Sequence, residues 1–184
     1  MVSLGTLWLP ILVSAVVVFV ASSLVWMVLP HHRNDWEKLP GEDDILSAFR
    51  RTGLHRGQYR FPFVNPRDRS AETQRRIAEN PMGTMVVWPP GPMNMGKQLG
   101  GWFVYLLVVS FWVAYLCSLA LPHGVSYRSA FRFAGTASML TYALAPVPSS
   151  VWWGRPWSTT LKEVADGVAY GLLTAAVFGW LWPR

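Results

Sequence analysis

Charged residues are scarce in this sequence and unevenly placed. They make up 14% of its 184 residues, whereas a soluble domain usually carries about a quarter. Residues 30–99 hold 11 of the 16 lysines and arginines and 8 of the 10 acids, which leaves seven charges for the other 114 residues. This distribution excludes an ordinary water-soluble globule and a disordered chain. It predicts an integral membrane protein with one polar segment.

Cysteine is almost absent. The single cysteine, Cys117, lies within an apolar run and has no second cysteine with which to form a disulfide. The sequence therefore excludes a small secreted domain held together by disulfides. We interpret Cys117 as a small buried hydrophobic residue rather than as a reactive thiol.

Motifs of known catalytic sites are missing as well. The sequence contains neither an HExxH zinc motif nor a GxSxG nucleophile motif. Gly91 to Lys97 match the spacing of a phosphate-binding loop, but Gln98 replaces the Ser or Thr that would bind magnesium. The formal charge of +6 is explained by basic residues beside membrane spans. We therefore expect no cofactor and no nucleic-acid partner.

Four apolar stretches predict a mainly α-helical membrane protein with about four transmembrane helices. They are Leu4–Leu29, Trp102–Leu121, Tyr127–Ala145 (ended by Pro146 and Pro148), and a helix that follows Pro156, has Ser158 as its N-cap and ends at Leu181. A spanning helix needs about 20 apolar residues, and the uncharged part of the last one, residues 167–183, has 17. Three spans with one re-entrant or interfacial helix is the alternative.

The predicted spans divide the chain into three parts. Residues 1–29 form the first transmembrane helix, residues 30–99 a polar insertion, and residues 100–184 the remaining transmembrane helices. Basic residues flank the spans mainly on the side of the insertion. Because short basic flanks stay in the cytoplasm, we expect residues 30–99 to be cytoplasmic and both termini to lie outside.

The polar insertion has the signals of a small α+β structure. Glu42–Arg51 is predicted to be a helix, with acids in its first turn and arginines near its end. Ser70–Asn80 is predicted to be a second helix with Ser70 as N-cap. Residues 59–63 and 83–88 are expected to be extended.

Small residues recur at helical spacing in the third and fourth apolar helices. Such residues let membrane helices approach closely, and we expect these rows to pack face to face, with the partner in the same chain or in another copy. The rows consist of Gly167, Gly171, Ala175 and Gly179 in the fourth helix, and of Ala130, Ala134 and Ser138 in the third.

A few ionisable residues lie close to the predicted spans. Arg128 and Arg132 are one helical turn apart, and we interpret them as interfacial side chains, with lipid headgroups as alternative contacts. Asp166 is the deepest acid, and Lys162, four residues before it, could form an ion pair with it. A carboxylate inside a membrane is a candidate functional group.

Histidines and acids also follow the first span. His31, His32 and Asp35, with Glu37 beyond them, are weak candidates for a metal site, because imidazoles and carboxylates bind metal ions. Their spacing matches no established ligand motif, and a polar interfacial flank is the preferred interpretation.

Several motifs occur together along the chain. They are Leu29-Pro30-His31-His32, Gly91-Pro92, Met95-Gly96-Lys97, Arg155–Lys162 with Asp166, and Phe178–Pro183. In this combination the sequence resembles a family of small, uncharacterised bacterial four-helix inner-membrane proteins. The resemblance covers nearly the whole chain. It implies a multi-pass protein of the bacterial inner membrane and supplies neither a mechanism nor functional residues.

Three functional hypotheses follow from these observations. The first is a non-catalytic accessory or scaffolding subunit, whose partners are the lipid bilayer and other membrane subunits or a second copy. The second is a small transporter or channel component, which would need polar residues along a path through the bilayer. The third is a membrane enzyme that uses the His/Asp rim at the cytoplasmic face. Because no coherent catalytic set is visible in the sequence, the first is preferred.

Overall fold

The computed structural model describes residues 2–184 and is mostly helical. Its helices are α1 (Trp8–Met27), α2 (Glu42–Arg51), α3 (Ala71–Glu79), α4 (Met95–Ala120), α5 (Tyr127–Tyr142), α6 (Val147–Trp153) and α7 (Trp157–Leu181). The strands are β1 (Gly57–Phe61) and β2 (Gly83–Val87), and short 3-10 helices cover Leu4–Leu7 and Pro30–His32. The chain forms two compact units: a helical unit (residues 2–35, 94–151 and 155–184) and an insertion unit (residues 36–93 with 152–154).

Three helices of the helical unit are long and apolar enough to cross a membrane. They cover Leu4–Met27, Met95–Ala120 and Trp157–Leu181, with 24 to 26 residues each. At 1.5 Å per residue each is about 36 Å long or more, which exceeds a hydrocarbon core of about 30 Å. The 16 residues of α5 give a length of only about 24 Å. A fourth full span over Tyr127–Ala145 therefore stays a prediction.

The helical unit is built around α7, which packs against α1 and α5, while α4 packs against the same two helices. Large side chains that are fully buried in this core are Leu7, Val18, Leu106, Val113 and Phe178. Cys117 is also fully buried, as its apolar surroundings in the sequence predicted.

Two hydrogen bonds between side chains link α1 to α4. The Ser14 hydroxyl donates to the Ser110 hydroxyl at 3.0 Å, and the Trp102 indole N–H donates to the Ser22 hydroxyl at 2.9 Å. Because polar groups buried among apolar side chains need partners, these pairs fix the register of the two helices.

Glycines bring α7 into backbone contact with α5. A Cβ atom at Gly167 would lie 2.5 Å from the Tyr142 carbonyl oxygen, and one at Gly171 would lie 2.6 Å from the Met139 side chain. At the other end, a Cβ at Gly179 would lie 2.8 Å from the Tyr127 ring. At Gly167 the close atoms belong to the backbone, so a larger side chain there would force the helices apart, whereas at Gly171 and Gly179 the closest atoms belong to side chains.

The face of α5 that packs against α7 also consists of small residues. Ala130, Ala134 and Ser138 are fully buried there, as is Ala175 on α7. The Ser138 hydroxyl lies 2.7 Å from the Ala134 carbonyl oxygen and 3.2 Å from that of Gly171. From this fully buried position it can donate either within α5 or towards α7.

The insertion unit contains an antiparallel pair of strands, β1 and β2, in the register Gly57↔Val87 to Phe61↔Gly83. The helix predicted over Glu42–Arg51 is confirmed with the same bounds. The helix predicted over Ser70–Asn80 is confirmed as α3, and the Ser70 hydroxyl accepts from the Thr73 N–H at 3.3 Å. Neither α2 nor α3, both described in full, contains a buried residue.

One expectation about a helix end was wrong, and another needs new bounds. Ser158 is not an N-cap, because α7 begins at Trp157 and Pro156 occupies the capping position without a side-chain hydrogen bond. The third helix does end before Pro146 and Pro148, but at Tyr142 rather than at Ala145. The short helix α6 begins at Val147, with Pro148 in its first turn, where a proline costs no helical hydrogen bond.

Candidate functional site

Five ionisable side chains of the helical unit converge at one end of α7. We call them the His–Asp cluster: His31, His32, Asp35, Lys162 and Asp166. The two histidines follow α1 in a tight 3-10 turn that starts at Pro30, whose fixed φ suits the first position of a helix, and Asp35 comes three residues after His32. The other two are one turn apart on α7 and therefore share a face.

Each carboxylate of the cluster contacts two partners. Asp166 lies 2.7 Å from His32 Nε2 through Oδ2 and 3.2 Å from His31 Nε2 through Oδ1. Asp35 lies 2.6 Å from His32 Nδ1 through Oδ2, and it accepts from Lys162 Nζ at 2.6 Å through Oδ1. His32 is thus held between two carboxylates.

The centre of the cluster is buried and its edges are open. The side chains of His32 and Asp35 are 4% and 3% exposed, and that of Asp166 is 12% exposed. His31 and Lys162 are each about one-third exposed. The Trp26 ring stacks on His32 with 4.0 Å between centroids and an interplanar angle of 4°, which fixes the plane of the imidazole.

Electrostatics favours the charged forms at the centre. Burial of His32 opposes its protonation, but the hydrogen bonds and charges of Asp35 and Asp166 outweigh this effect and raise the pKa of His32. The hydrogen bond from Lys162, and then that from His32, hold the pKa of the Asp35 carboxyl below its usual range despite its burial. An imidazolium can donate from both ring nitrogens, so it satisfies both carboxylates at once.

A large cavity opens beside the cluster. Its volume is about 1040 Å³ and its walls come from α1, α4, α5, α7 and the loops that follow α5 and α6. Aromatic side chains dominate the lining: Trp26, Trp102, Tyr105, Tyr142 and Tyr170. The polar lining residues include Asp166, Thr141 and an ion pair in which Arg155 Nη1 donates to Glu163 Oε2 at 2.6 Å.

The structure assigns different roles to the metal candidates named from the sequence. His31, His32 and Asp166 each offer a ligand atom, and these atoms lie within 4.8 Å of one another. Asp35 instead contacts the opposite nitrogen of His32. Glu37 belongs to the insertion unit.

One suggested ion pair does not form. Lys162 could have paired with Asp166 one turn away on α7, but its ammonium group donates to Asp35. The 3-10 turn after α1 brings Asp35 within reach of this ammonium group, while the two histidines occupy Asp166. The sequence separation of 127 residues between Lys162 and Asp35 hides this contact from local pattern analysis.

The two outer arginines are placed differently. Arg132 lines a second cavity, of about 540 Å³, which lies between α4 and α5 and also involves Leu116, Phe133 and Thr136. Arg128 does not line that cavity. Both arginines lie in the first two turns of α5 and are not part of the His–Asp cluster. Their contact with lipid headgroups stays a prediction.

The sequence indicates each member of the His–Asp cluster as a candidate, but it does not show that they lie together. Asp166 was singled out as an acid inside an apolar helix, and the histidines as a polar flank, with 134 residues between His32 and Asp166. The signal that could have joined them is the direction of the helices, which brings the end of α1 and the first half of α7 together in the helical unit.

Comparison with models of protein families, with curated proteins and with solved structures finds no match to this chain.

Proposed function

We propose that this chain is a four-helix protein of the bacterial inner membrane, with residues 30–99 in the cytoplasm and both termini outside. The three long apolar helices support the location in a membrane. The basic flanks of the helices support the orientation. Large apolar side chains that stay exposed along these helices, such as Val20, Leu24 and Val104, would be covered by lipid.

The path of α5 supports a fourth crossing. The Gly124 N–H donates to the Pro183 carbonyl, so the start of α5 lies beside the end of α7. The last turn of α5, at Tyr142, lies beside Gly167, close to the middle of α7. α5 therefore runs along the half of α7 from Gly167 to its end. The following helix α6 lies beside the start of α7, where the Ser150 and Thr160 hydroxyls are 2.6 Å apart, so α5 and α6 together follow most of α7.

The cavity is the feature that carries the functional proposal. We infer that it binds an amphipathic small molecule whose apolar part contacts the aromatic lining and whose polar part contacts the His–Asp cluster and Arg155. Its volume of about 1040 Å³ is at the upper end of the range for small-molecule sites, and such sites combine apolar walls with a few placed polar groups. This is the arrangement that a membrane enzyme acting at the cytoplasmic face would need.

The burial of the cluster favours a functional role over a passive flank. Taking charged groups out of water costs several kcal/mol for each ion, and their mutual attraction often only offsets this cost. A chain that needed only a polar end for its helices could leave these groups in solvent. Instead, His32 and Asp35 are almost completely buried beside a cavity that Asp166 lines.

The cavity also separates this proposal from transport. Its lining reaches Thr141, but every lining residue lies between the middle of the bundle and the end that carries the cluster. Beyond it, fully buried side chains such as Val18, Leu106 and Phe178 fill the core. A closed core of this kind favours binding from one face over a path through the bilayer.

The role of an accessory subunit is the second candidate. The insertion unit exposes large apolar side chains, including Trp36 at 84% and Phe63 at 81%. Exposed apolar surface of this kind is typical of a surface that meets another protein. Co-migration with a larger complex, in a fixed ratio through size exclusion in mild detergent, would support this candidate.

A variant that fills the cavity tests the binding proposal. Gly101 lines the cavity, and a Cβ added there meets open space, so Gly101→Trp should occupy the site without disturbing α4. The measurement is mass spectrometry of small molecules and lipids that co-purify with the chain in mild detergent. We expect a species bound to the wild type to be lost from Gly101→Trp.

Gly100→Trp is the matched control. Gly100 precedes Gly101 on α4 and also faces open space, but it does not line the cavity. We expect this variant to retain the bound species. Equal retention by both variants, or no bound species in the wild type, would overturn the proposal.

A further inference from the structure

We propose that His31, His32 and Asp166 bind one divalent transition-metal ion of the zinc or iron class. Each contributes one ligand atom: the Nε2 atoms of the two imidazoles and a carboxylate oxygen of Asp166. The three atoms lie within 4.8 Å of one another. This inference rests on the proposed function, because the metal would lie beside the proposed ligand cavity. Its test measures bound metal and does not depend on the cavity ligand.

The spacing of the donor atoms suits such an ion. Zinc binds imidazole nitrogen and carboxylate oxygen at about 2.0–2.2 Å, so ligand atoms around a tetrahedral ion are about 3.3 Å apart. Asp166 oxygens lie 2.7 Å from His32 Nε2 and 3.2 Å from His31 Nε2. The ligand atoms lie within 4.8 Å of one another, so the side chains would close in on the ion. The ion would replace the protons that the Nε2 atoms donate to Asp166, and these protons would leave to solvent.

The donor types favour a transition metal over magnesium or calcium. Imidazole nitrogen suits zinc, iron, copper and nickel, whereas magnesium and calcium prefer oxygen ligands. Two histidines with one carboxylate form the donor set of several catalytic zinc sites and of non-haem iron sites. Three protein ligands leave a coordination position for water or for the polar group of a ligand.

Asp35 supplies the outer support that metal-binding histidines usually have. Its Oδ2 atom lies 2.6 Å from His32 Nδ1, the nitrogen that would not bind the metal. Such a carboxylate fixes the tautomer and the orientation of the imidazole and strengthens it as a ligand. Lys162 holds the other oxygen of Asp35 at 2.6 Å, and Trp26 stacks on the ring. We therefore assign Asp35 as a positioning residue.

The exposure of the ligands gives the ion a way in. His31 is 34% exposed, while His32 and Asp166 are 4% and 12% exposed. An ion could therefore bind first to His31 and then displace the hydrogen bonds of the buried ligands. Asp166 also lines the cavity, so a bound ion would lie close to the ligand site.

The test is zinc binding by the purified full-length chain in detergent, with any histidine tag removed and bound metal stripped by a chelator. Zinc alone is the probe, at neutral pH, in competition with a chromophoric chelator. We expect about one zinc ion per chain. His31→Gln and Asp166→Asn each remove a ligand, and Asp35→Asn removes outer support, so we expect binding to weaken by about 10–100-fold or more.

Two controls make the result specific. His55→Gln and His123→Gln change histidines outside the cluster, and we expect both to bind zinc like the wild type. Gly101→Trp should also bind zinc, which separates failure of the metal site from failure of the cavity proposal. Replacing zinc by cobalt(II) in the wild type should give visible absorption bands of a nitrogen- and oxygen-ligated ion, a readout that needs no variant to fold. Absence of stoichiometric zinc from the wild type, or equal binding by Asp166→Asn, would overturn the inference.

Discussion

At the scale of single residues, the chemistry of this protein concentrates on His32. Its ring is stacked on Trp26 and contacts Asp35 through Nδ1 and Asp166 through Nε2. All polar positions of this imidazole are thus used, although only 4% of its side chain is exposed. An imidazole with a carboxylate at each ring nitrogen can be part of a network of ion pairs. It can also bind a metal through one nitrogen while a carboxylate holds the other. Both states need Asp35 ionised.

The charge on Asp35 depends on Lys162, and this leads to a stability prediction. In Lys162→Met the Asp35 carboxylate, 3% exposed, would lose its ammonium partner. Leaving a buried charge without one partner is strongly destabilising. Because Lys162 is itself 31% exposed and His32 remains in place, we expect a loss of about 2 kcal/mol rather than the full effect.

Lys38→Met is the matched control for this prediction. The Lys38–Glu42 pair is 3.8 Å long and exposed on both sides, so its loss should cost less than about 0.5 kcal/mol. Unfolding in mixed micelles with increasing denaturing detergent measures both variants. Similar stability of the two variants would show that the Asp35–Lys162 pair is not coupled to folding.

At the scale of elements, the sequence predicted those helices whose ends are determined by side chains within one turn. The acids and arginines of α2 and the Ser70 cap of α3 lie where the sequence places them, because the helix dipole and orphan N–H groups act within one turn. In the structure, the Ser126 hydroxyl also caps α5 by accepting from the Ser129 N–H. The start of α4 at Met95 was missed, since Gly and Lys residues before Trp102 look like an interfacial flank.

The contact between α5 and α7 gives the prediction for this scale. Gly167→Ala would place a Cβ 2.5 Å from the Tyr142 carbonyl oxygen, a backbone atom that cannot rotate away. The helices would have to separate, and we expect a loss of about 1–3 kcal/mol. Thermal unfolding in detergent measures the change.

Gly100→Ala is the matched control for the helix contact. It also lies in a helix, but its Cβ would meet open space. There the alanine should stabilise the chain by up to about 1 kcal/mol through helix propensity alone. If Gly167→Ala were also stabilising, α5 and α7 would not be in the close contact described above.

At the scale of the whole molecule, the sequence predicted the helical class and the polar insertion, but it did not predict which distant residues meet in the fold. Mainly helical structure, long apolar helices and a small polar insertion follow from charge distribution and hydropathy. The His–Asp cluster does not, because it joins residues 134 positions apart through the packing of α1 on α7. Long-range contacts of this kind leave no periodic trace in a single sequence.

The packing of α1 on α7 also explains why residues that look like a polar flank in the sequence form a candidate site in the structure. Each half of the cluster alone resembles an ordinary membrane interface: two histidines after one helix, and a Lys and an Asp at the start of another. Together they form a buried network whose Asp166 lines a cavity of about 1040 Å³. The function of the molecule is therefore expected where the helices meet, rather than in any single motif.

The amount of co-purifying ligand in wild type and in Asp166→Asn tests the central proposal most directly. Both proteins are extracted in the same mild detergent, shown by size exclusion to elute as the same folded species, and analysed by mass spectrometry for the bound species. A hydrogen bond to a charged group contributes about 1.5–3 kcal/mol, so we predict that Asp166→Asn retains about tenfold less of the ligand. Equal amounts in the two proteins would contradict the account, because the polar part of the ligand would then not contact the His–Asp cluster.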